Sequence, residues 1–259
     1  GVGKSRLVDE FVGYVTSQGR QVLRARLALA EAQLFAAVTR ALRPLLARDK
    51  IDGLGSETLA RLALLFPEIR GFFPALPPAD HAAFRDEAGL FKAVEALVRV
   101  LLPGGAILVV DDAQRAGEAS CRLLARLAER LTLVLAFRAE EVPADHPLHS
   151  EFRALRREGA VAELHLERLS AEASRELVHA LGDGVPAGIA AQVAERTGGS
   201  PLFLIALLQN LFEEGLLHVD AGGRWATTEE SNQPLPGTVR ETLEARLGRL
   251  SREQRRIFD

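Results

Sequence analysis

Gly1-Val2-Gly3-Lys4-Ser5 opens the chain with residue types that suit a bound phosphate. The stretch matches the closing half of the signature G-x-x-x-x-G-K-[ST], with Gly-Lys-Ser intact and the upstream glycine falling before residue 1. In such a loop, small residues let backbone N–H groups approach phosphate oxygens. Lys4 supplies a cation to the β- and γ-phosphates, and Ser5 can ligand Mg²⁺. A helix starting here adds its positive end. Taken alone, the pentapeptide also fits a glycine-rich turn with a solvated lysine.

A second stretch bears on that choice. Ala106-Ile107-Leu108-Val109-Val110 is an unbroken apolar run that ends in Asp111-Asp112. Such a run predicts a strand buried on both faces. In a parallel sheet, ligands bind at the carboxyl ends of strands, which puts both acids toward the phosphate loop. Asp111 would hold Mg²⁺, directly or through water, and Asp112 would orient or deprotonate an attacking water. A plain strand end with Asp112 as a helix cap is the other reading, and the presence of both motifs in this order argues against it. Leu131–Phe137 predicts a second fully apolar strand ending at Arg138. That guanidinium can sense a γ-phosphate, and a salt bridge to Glu140 or Glu141 accounts for it equally well.

The elements that must position these groups alternate. Leu7, Val8, Phe11, Val12 and Val15 fall at helical spacing over 5–18, with Gly19 closing the helix. A strand follows at 21–26 and a helix at 32–46. The stretch 50–55 reads as a loop, with Ser56 capping a short helix. Phe66-Pro67 and the Pro-rich stretch 72–78 mark an irregular insertion. A long helix at 81–102 leads to the acid-tipped strand, a helix covers 118–130, and a further strand is predicted at 161–166. The order implies an α/β fold with a mainly parallel sheet. After Leu169-Ser170 the pattern turns helical, with helices at 171–181, 187–196 and 202–214. A β-hairpin is expected from 216–220 and 224–227, then helices at 238–247 and from Ser251 onward.

Composition narrows the classes. The 259 residues are 47% hydrophobic and 26% charged, ordinary values for a globular chain with ample length for a core. A net charge of −3 gives no generic attraction to nucleic acid or anionic membrane. Cys121 is the single cysteine, so no disulfide can form within the chain, which fits a cytoplasmic location. No apolar run reaches membrane-spanning length and no signal peptide is visible. The start in mid-motif and the end inside a helical pattern at Ile257-Phe258-Asp259 imply a fragment.

With these residues in view, the sequence resembles the ATPase domain of the STAND group of P-loop NTPases. Within that group it is most similar to the AAA-type modules of large bacterial regulators, including LuxR-type activators and cyclase- or kinase-linked proteins. The resemblance rests on Gly-Val-Gly-Lys-Ser-Arg at 1–6, Val-Val-Asp-Asp-Ala-Gln at 109–114, Phe-Arg-Ala-Glu-Glu at 137–141, Gly-Ser-Pro-Leu-Phe-Leu at 199–204 and Leu-Pro-Gly-Thr-Val at 235–239. It implies that Gly1, Val2, Gly3, Lys4, Ser5 and Arg6 bind the phosphates of ATP or ADP, with Mg²⁺ on Ser5 and Asp111. Asp111 and Asp112 would be the Walker B pair, Arg138 the sensor, and Pro201 a contact to adenine. Without the resemblance, Pro201 reads as a helix start. Three regions are implied: a P-loop NTPase core at 1–168, a helical subdomain at 169–215, and at 216–259 a hairpin with the start of a winged-helix-like domain. The family's first strand, which precedes the phosphate loop and would lie between the strands at Leu131 and Val161, is missing. The family also usually carries Leu-His-Trp-Ala-Asp after the paired acids, where this chain has Ala113-Gln114-Arg115-Ala116-Gly117.

The implied activity is that of a slowly hydrolysing, Mg²⁺-dependent ATP switch inside a larger regulatory protein. Its partners would be sensor and effector domains of the same chain, with homo-oligomers admitted and DNA reached only through other domains. A nucleotide-retaining scaffold without turnover and an origin-recognition-type DNA-loading ATPase are the alternatives. Weaker signals add little. His146 and His149 read as loop residues because no third ligand follows at zinc spacing. The arginines from Arg240 to Arg256 are diluted by glutamates and read as a solvated face.

Overall fold

The computed structural model describes residues 2–27, 36–77, 86–182 and 184–227. Within them the chain divides into two compact units, one of Ser5–Glu163 and one of Leu164 onward together with the first four residues. The first unit holds an all-parallel sheet of three strands in the order β1-β2-β3, formed by Val22–Arg26, Ile107–Asp111 and Thr132–Leu135. The register pairs Arg26 with Asp111 and Val110 with Leu135, so the three strands finish at a common edge. The α/β class and the three parallel strands agree with the sequence pattern.

Period-2 alternation explains why both faces are covered. Val22, Ile107, Val109 and Val134 cluster with Val8 and Val15 of helix α1 (Lys4–Ser17) on one face. Leu23, Ala25, Leu108 and Val110 belong to the larger core on the other. That core includes Leu90, Val94 and Leu97 of a helix at Glu87–Leu101, and Leu123 and Leu127 of one at Glu118–Leu127. Between β1 and that first helix lie α2 (Ala36–Leu42), α3 (Arg48–Ile51), α4 (Ser56–Leu65) and α5 (Ile69–Phe72). The two core helices are therefore α6 and α7, and two short helices follow β3, α8 (Pro147–Glu151) and α9 (Arg153–Arg157).

Several expectations need correction. Val161–Leu166 forms no strand, and Leu164 is 76% exposed. Alternating apolar residues make a strand only beside a ladder partner, and among the described residues β3 is paired on the β2 side alone. Consistent with that edge position, Leu133 and Leu135 of this fully apolar strand are half-buried. The expected loop at 50–55 begins inside α3, whose Ile51 is fully buried. Ser56 is the first residue of α4 rather than its cap, with Gly55 in that role and no side-chain bond. The insertion contains α5. Of the helix expected at 81–102, the described part runs over Glu87–Leu101, with the Asp86 side chain accepting the Gly89 N–H at 3.0 Å as a cap. His149 lies on α8. The helices expected at 238–247 and from Ser251, and the beginnings of the helices expected from 32 and 81, fall outside the described residues.

The second unit contains α10 (Ala171–Leu181), α11 (Ala187–Thr197), α12 (Pro201–Glu213) and a hairpin of β4 (Leu217–Val219) and β5 (Trp225–Thr227). Ser170 caps α10 by accepting the Ala173 N–H at 3.0 Å. Gly198 and Gly199, at φ 53° and 73°, turn the chain between α11 and α12. A Cβ on Gly199 would lie 2.1 Å from the Leu169 carbonyl oxygen, so both the conformation and the space demand glycine. Trp225 packs over Gly182, where an added Cβ would come within 2.6 Å of the indole, and lies 6.0 Å from the Phe212 ring centroid.

Candidate functional site

The parallel register carries Arg26, Asp111 and the residues after Leu135 to one edge of the sheet. There the backbone of β2 breaks sharply. Asp112 adopts φ 56° and ψ 39°, the one left-handed non-glycine among the described residues. Aspartate tolerates this region better than most side chains, because its short polar group bonds locally. The turn is pinned to the neighbouring strand, since Ala136 N–H donates to the Val110 carbonyl and Ala113 N–H donates back to the Ala136 carbonyl, each at 2.9 Å.

The two acids are held differently. Asp111 Oδ1 accepts the Asp112 N–H at 3.0 Å, while Oδ2 has no hydrogen-bond partner among the described residues. Asp112 Oδ2 accepts from Arg26 Nε at 3.2 Å, and Oδ1 accepts from Gln114 Nε2 at 3.4 Å. Arg138 has its guanidinium on Glu141, with Nη1 to Oε1 at 2.9 Å. Of the two sequence readings of Arg138, the salt bridge is therefore present in this state. The pair is exposed, at 53% and 40%, so it contributes no more than about 1 kcal/mol and leaves the arginine free to be redirected.

Gln114 joins these groups. Only 8% exposed, it donates from Nε2 to Glu141 Oε2 at 3.0 Å as well as to Asp112, and its Oε1 accepts the Arg138 N–H at 3.4 Å. His146 secures its backbone. Nδ1 accepts the Leu148 N–H at 3.2 Å, which assigns the proton to Nε2, and that N–H donates to the Gln114 carbonyl at 2.9 Å. Sequence reasoning placed Asp111, Asp112 and Arg138 at this edge but did not single out Arg26, Gln114, Glu141 or His146 as a network. The available signals were Arg26 at the end of a strand and Gln114 inside the segment that departs from the expected pattern.

Val2, Gly3 and Lys4 are half-buried, and Gly3 at φ 98° has open space where a Cβ would be. Ser5 and Arg6 are exposed in the first turn of α1, with Arg6 paired to Glu10 at 2.5 Å. That first turn contains no acidic side chain to offset the positive end of the helix. Gly1 lies outside the described residues. Pro201 belongs to the second unit, where it occupies the first position of α12 after Ser200, whose hydroxyl accepts the Phe203 N–H at 3.5 Å.

Among the described residues, no group of three or more His, Cys, Asp or Glu side chains could hold an ion. Mg²⁺ takes one or two protein oxygens plus phosphate and water, and Asp111 Oδ2, without a hydrogen-bond partner among the described residues, is an oxygen of that kind. No described helix is long and apolar enough to cross a membrane.

Comparison with known proteins gives a family and one distant structure. The family model described as AAA ATPase domain matches residues 1–138. No curated protein matches the chain. Among solved structures, that of Drosophila ORC bound to AT-rich DNA and Cdc6 is similar at 14% identity over 94% of each chain, with a TM-score of 0.25, a value too low to carry an argument.

Proposed function

The chain belongs to the AAA ATPase domain family, and from that premise we propose that it is a Mg²⁺-dependent ATP switch that hydrolyses its nucleotide slowly. The observation that carries this reading is the gathering of Asp111, Asp112 and Arg138 at the carboxyl edge of a parallel sheet. Lys4 and the N–H groups at the start of α1 would bind the phosphates, and Ser5 Oγ with Asp111 Oδ2 would hold Mg²⁺. Bound there, the ion supplies charge neutralisation on the phosphate oxygens. Asp112 would orient a water for attack and take its proton. Arg138 would leave Glu141 for the γ-phosphate, an exchange that the exposed pair opposes only weakly. Pro201 would lie against adenine, and ordering by the γ-phosphate is an ordinary way to bias such a switch. We place this module in the cytoplasm, within a larger regulatory protein of the STAND type that controls transcription through sensor and effector domains on the same chain.

A nucleotide-retaining scaffold is the second reading. It draws on the engagement of both Asp112 oxygens, by Arg26 and Gln114, which leaves this carboxylate poorly placed as a base in the present state. Binding and turnover of Mg²⁺-ATP separate the two. Lys4→Ala is expected to weaken binding at least tenfold, and Asp112→Asn to keep binding while lowering turnover on the order of 100-fold. Turnover of Asp112→Asn at the wild-type rate would remove Asp112 from the chemistry, and undiminished binding by Lys4→Ala would remove the phosphate loop.

A further inference from the structure

We propose that Gln114 is a positioning residue of this centre, a carboxamide that fixes the Asp112 carboxylate relative to the loop carrying Arg138. The inference rests on the ATPase reading above. Its evidence is the complete use of one planar group. A glutamine side chain has two N–H donors, and here both face carboxylates, Asp112 Oδ1 at 3.4 Å and Glu141 Oε2 at 3.0 Å. The amide oxygen takes the Arg138 N–H at 3.4 Å. One rigid amide thus touches the acid that follows β2, the carboxylate that parks the Arg138 guanidinium, and the backbone of Arg138 itself. It cannot rotate to improve one contact without loosening the others.

Its support is equally specific. The residue is 92% buried, its backbone carbonyl is held by His146 Nε2, and it lies two positions after the left-handed Asp112. Arg26 completes the surroundings by facing the other Asp112 oxygen. When Arg138 leaves Glu141 for a phosphate, the Glu141 carboxylate loses a cation and depends more on the Gln114 amide. The Gln114 contact to Asp112 must adjust with it. The acid that orients water is thereby linked to the arginine that reports the γ-phosphate.

The test uses the natural full-length protein and Mg²⁺-ATP. Gln114→Leu is expected to lower kcat on the order of 10- to 100-fold while the ATP Kd stays within about threefold, since a displacement near 1 Å is enough for that loss. Arg138→Ala should cost much less in the Gln114→Leu background than in wild type, because both substitutions break the same link. Gln114→Glu keeps the shape and guards against a folding defect. It places a third carboxylate between Asp112 and Glu141, which raises its pKa, and when protonated it regains one donor. Its kcat relative to Gln114→Leu should therefore rise as pH is lowered from about 8 to about 6, a response that a purely structural role would not give. Equal kcat for Gln114→Leu and wild type, fully additive losses with Arg138→Ala, or a constant Glu-to-Leu ratio across pH would each overturn the proposal with the ATPase reading intact. A wild-type protein that binds no ATP, or binds it without turnover, would overturn both.

Discussion

Asp112 sits in a conformation that most residues avoid, at a cost of roughly 1–2 kcal/mol. Backbone outliers of this kind persist where surrounding bonds over-determine them, and here the Ala113–Ala136 bond, Arg26 and Gln114 all do so. The sequence showed the acid pair and its place at a strand end, because apolar run and charge stop together. It could not show the kink or the partners, since Arg26 arrives by strand register and Gln114 and Glu141 by the turns that follow β2 and β3. Cys121 is the opposite case, a reactive residue type made inert. It is fully buried, and burial, with a smaller contribution from the Glu151 charge, pushes its thiol up to about 12. Near pH 8 almost none is thiolate, so alkylation of the folded protein should run on the order of 10³-fold slower than that of the unfolded chain. Equal labelling rates would mean that the helix opens readily.

Among the elements, α6 offers the clearest pH-dependent contribution. Its cap Asp86 is held below the usual carboxylate range, first by the Gly89 N–H and then by Arg61, which lies 2.5 Å away. A depressed folded pKa means that the contribution is complete above the ordinary value of about 3.9 and is lost as pH falls through the folded value. Asn can still cap a helix but does not titrate. Asp86→Asn should therefore lose less thermal stability than wild type between about pH 6 and pH 3, and parallel melting curves for the two proteins would refute this. Element types proved more legible than their ends. Helices with a strong apolar stripe and a recognisable cap, such as α10 after Ser170, lie where periodicity puts them. α3 and α5 were missed because helices of four residues carry too little pattern to read. Val161–Leu166 was misread because alternation reports a face, whereas a strand also needs a neighbour.

Taken whole, the molecule places the candidate acids in one compact unit and Pro201 in the other. Ligand that binds only the folded state adds stability by mass action, about 2.7 kcal/mol at 100 times its Kd. For a chain of this size, that corresponds to roughly 5–10 °C in Tm. Mg²⁺-ATP should produce such a shift in wild type and lose it in Lys4→Ala, as read by scanning calorimetry. A shift of equal size in the variant would place the nucleotide somewhere other than the phosphate loop.

Trp225 is the chain's single tryptophan, and it is seated against Gly182 and Phe212 within the helical unit. Its indole emission consequently belongs to that unit alone, with no background from the sheet. This chain therefore carries its own optical label in the helical unit, and a stopped-flow trace of its emission on mixing with Mg²⁺-ATP would show whether that unit responds.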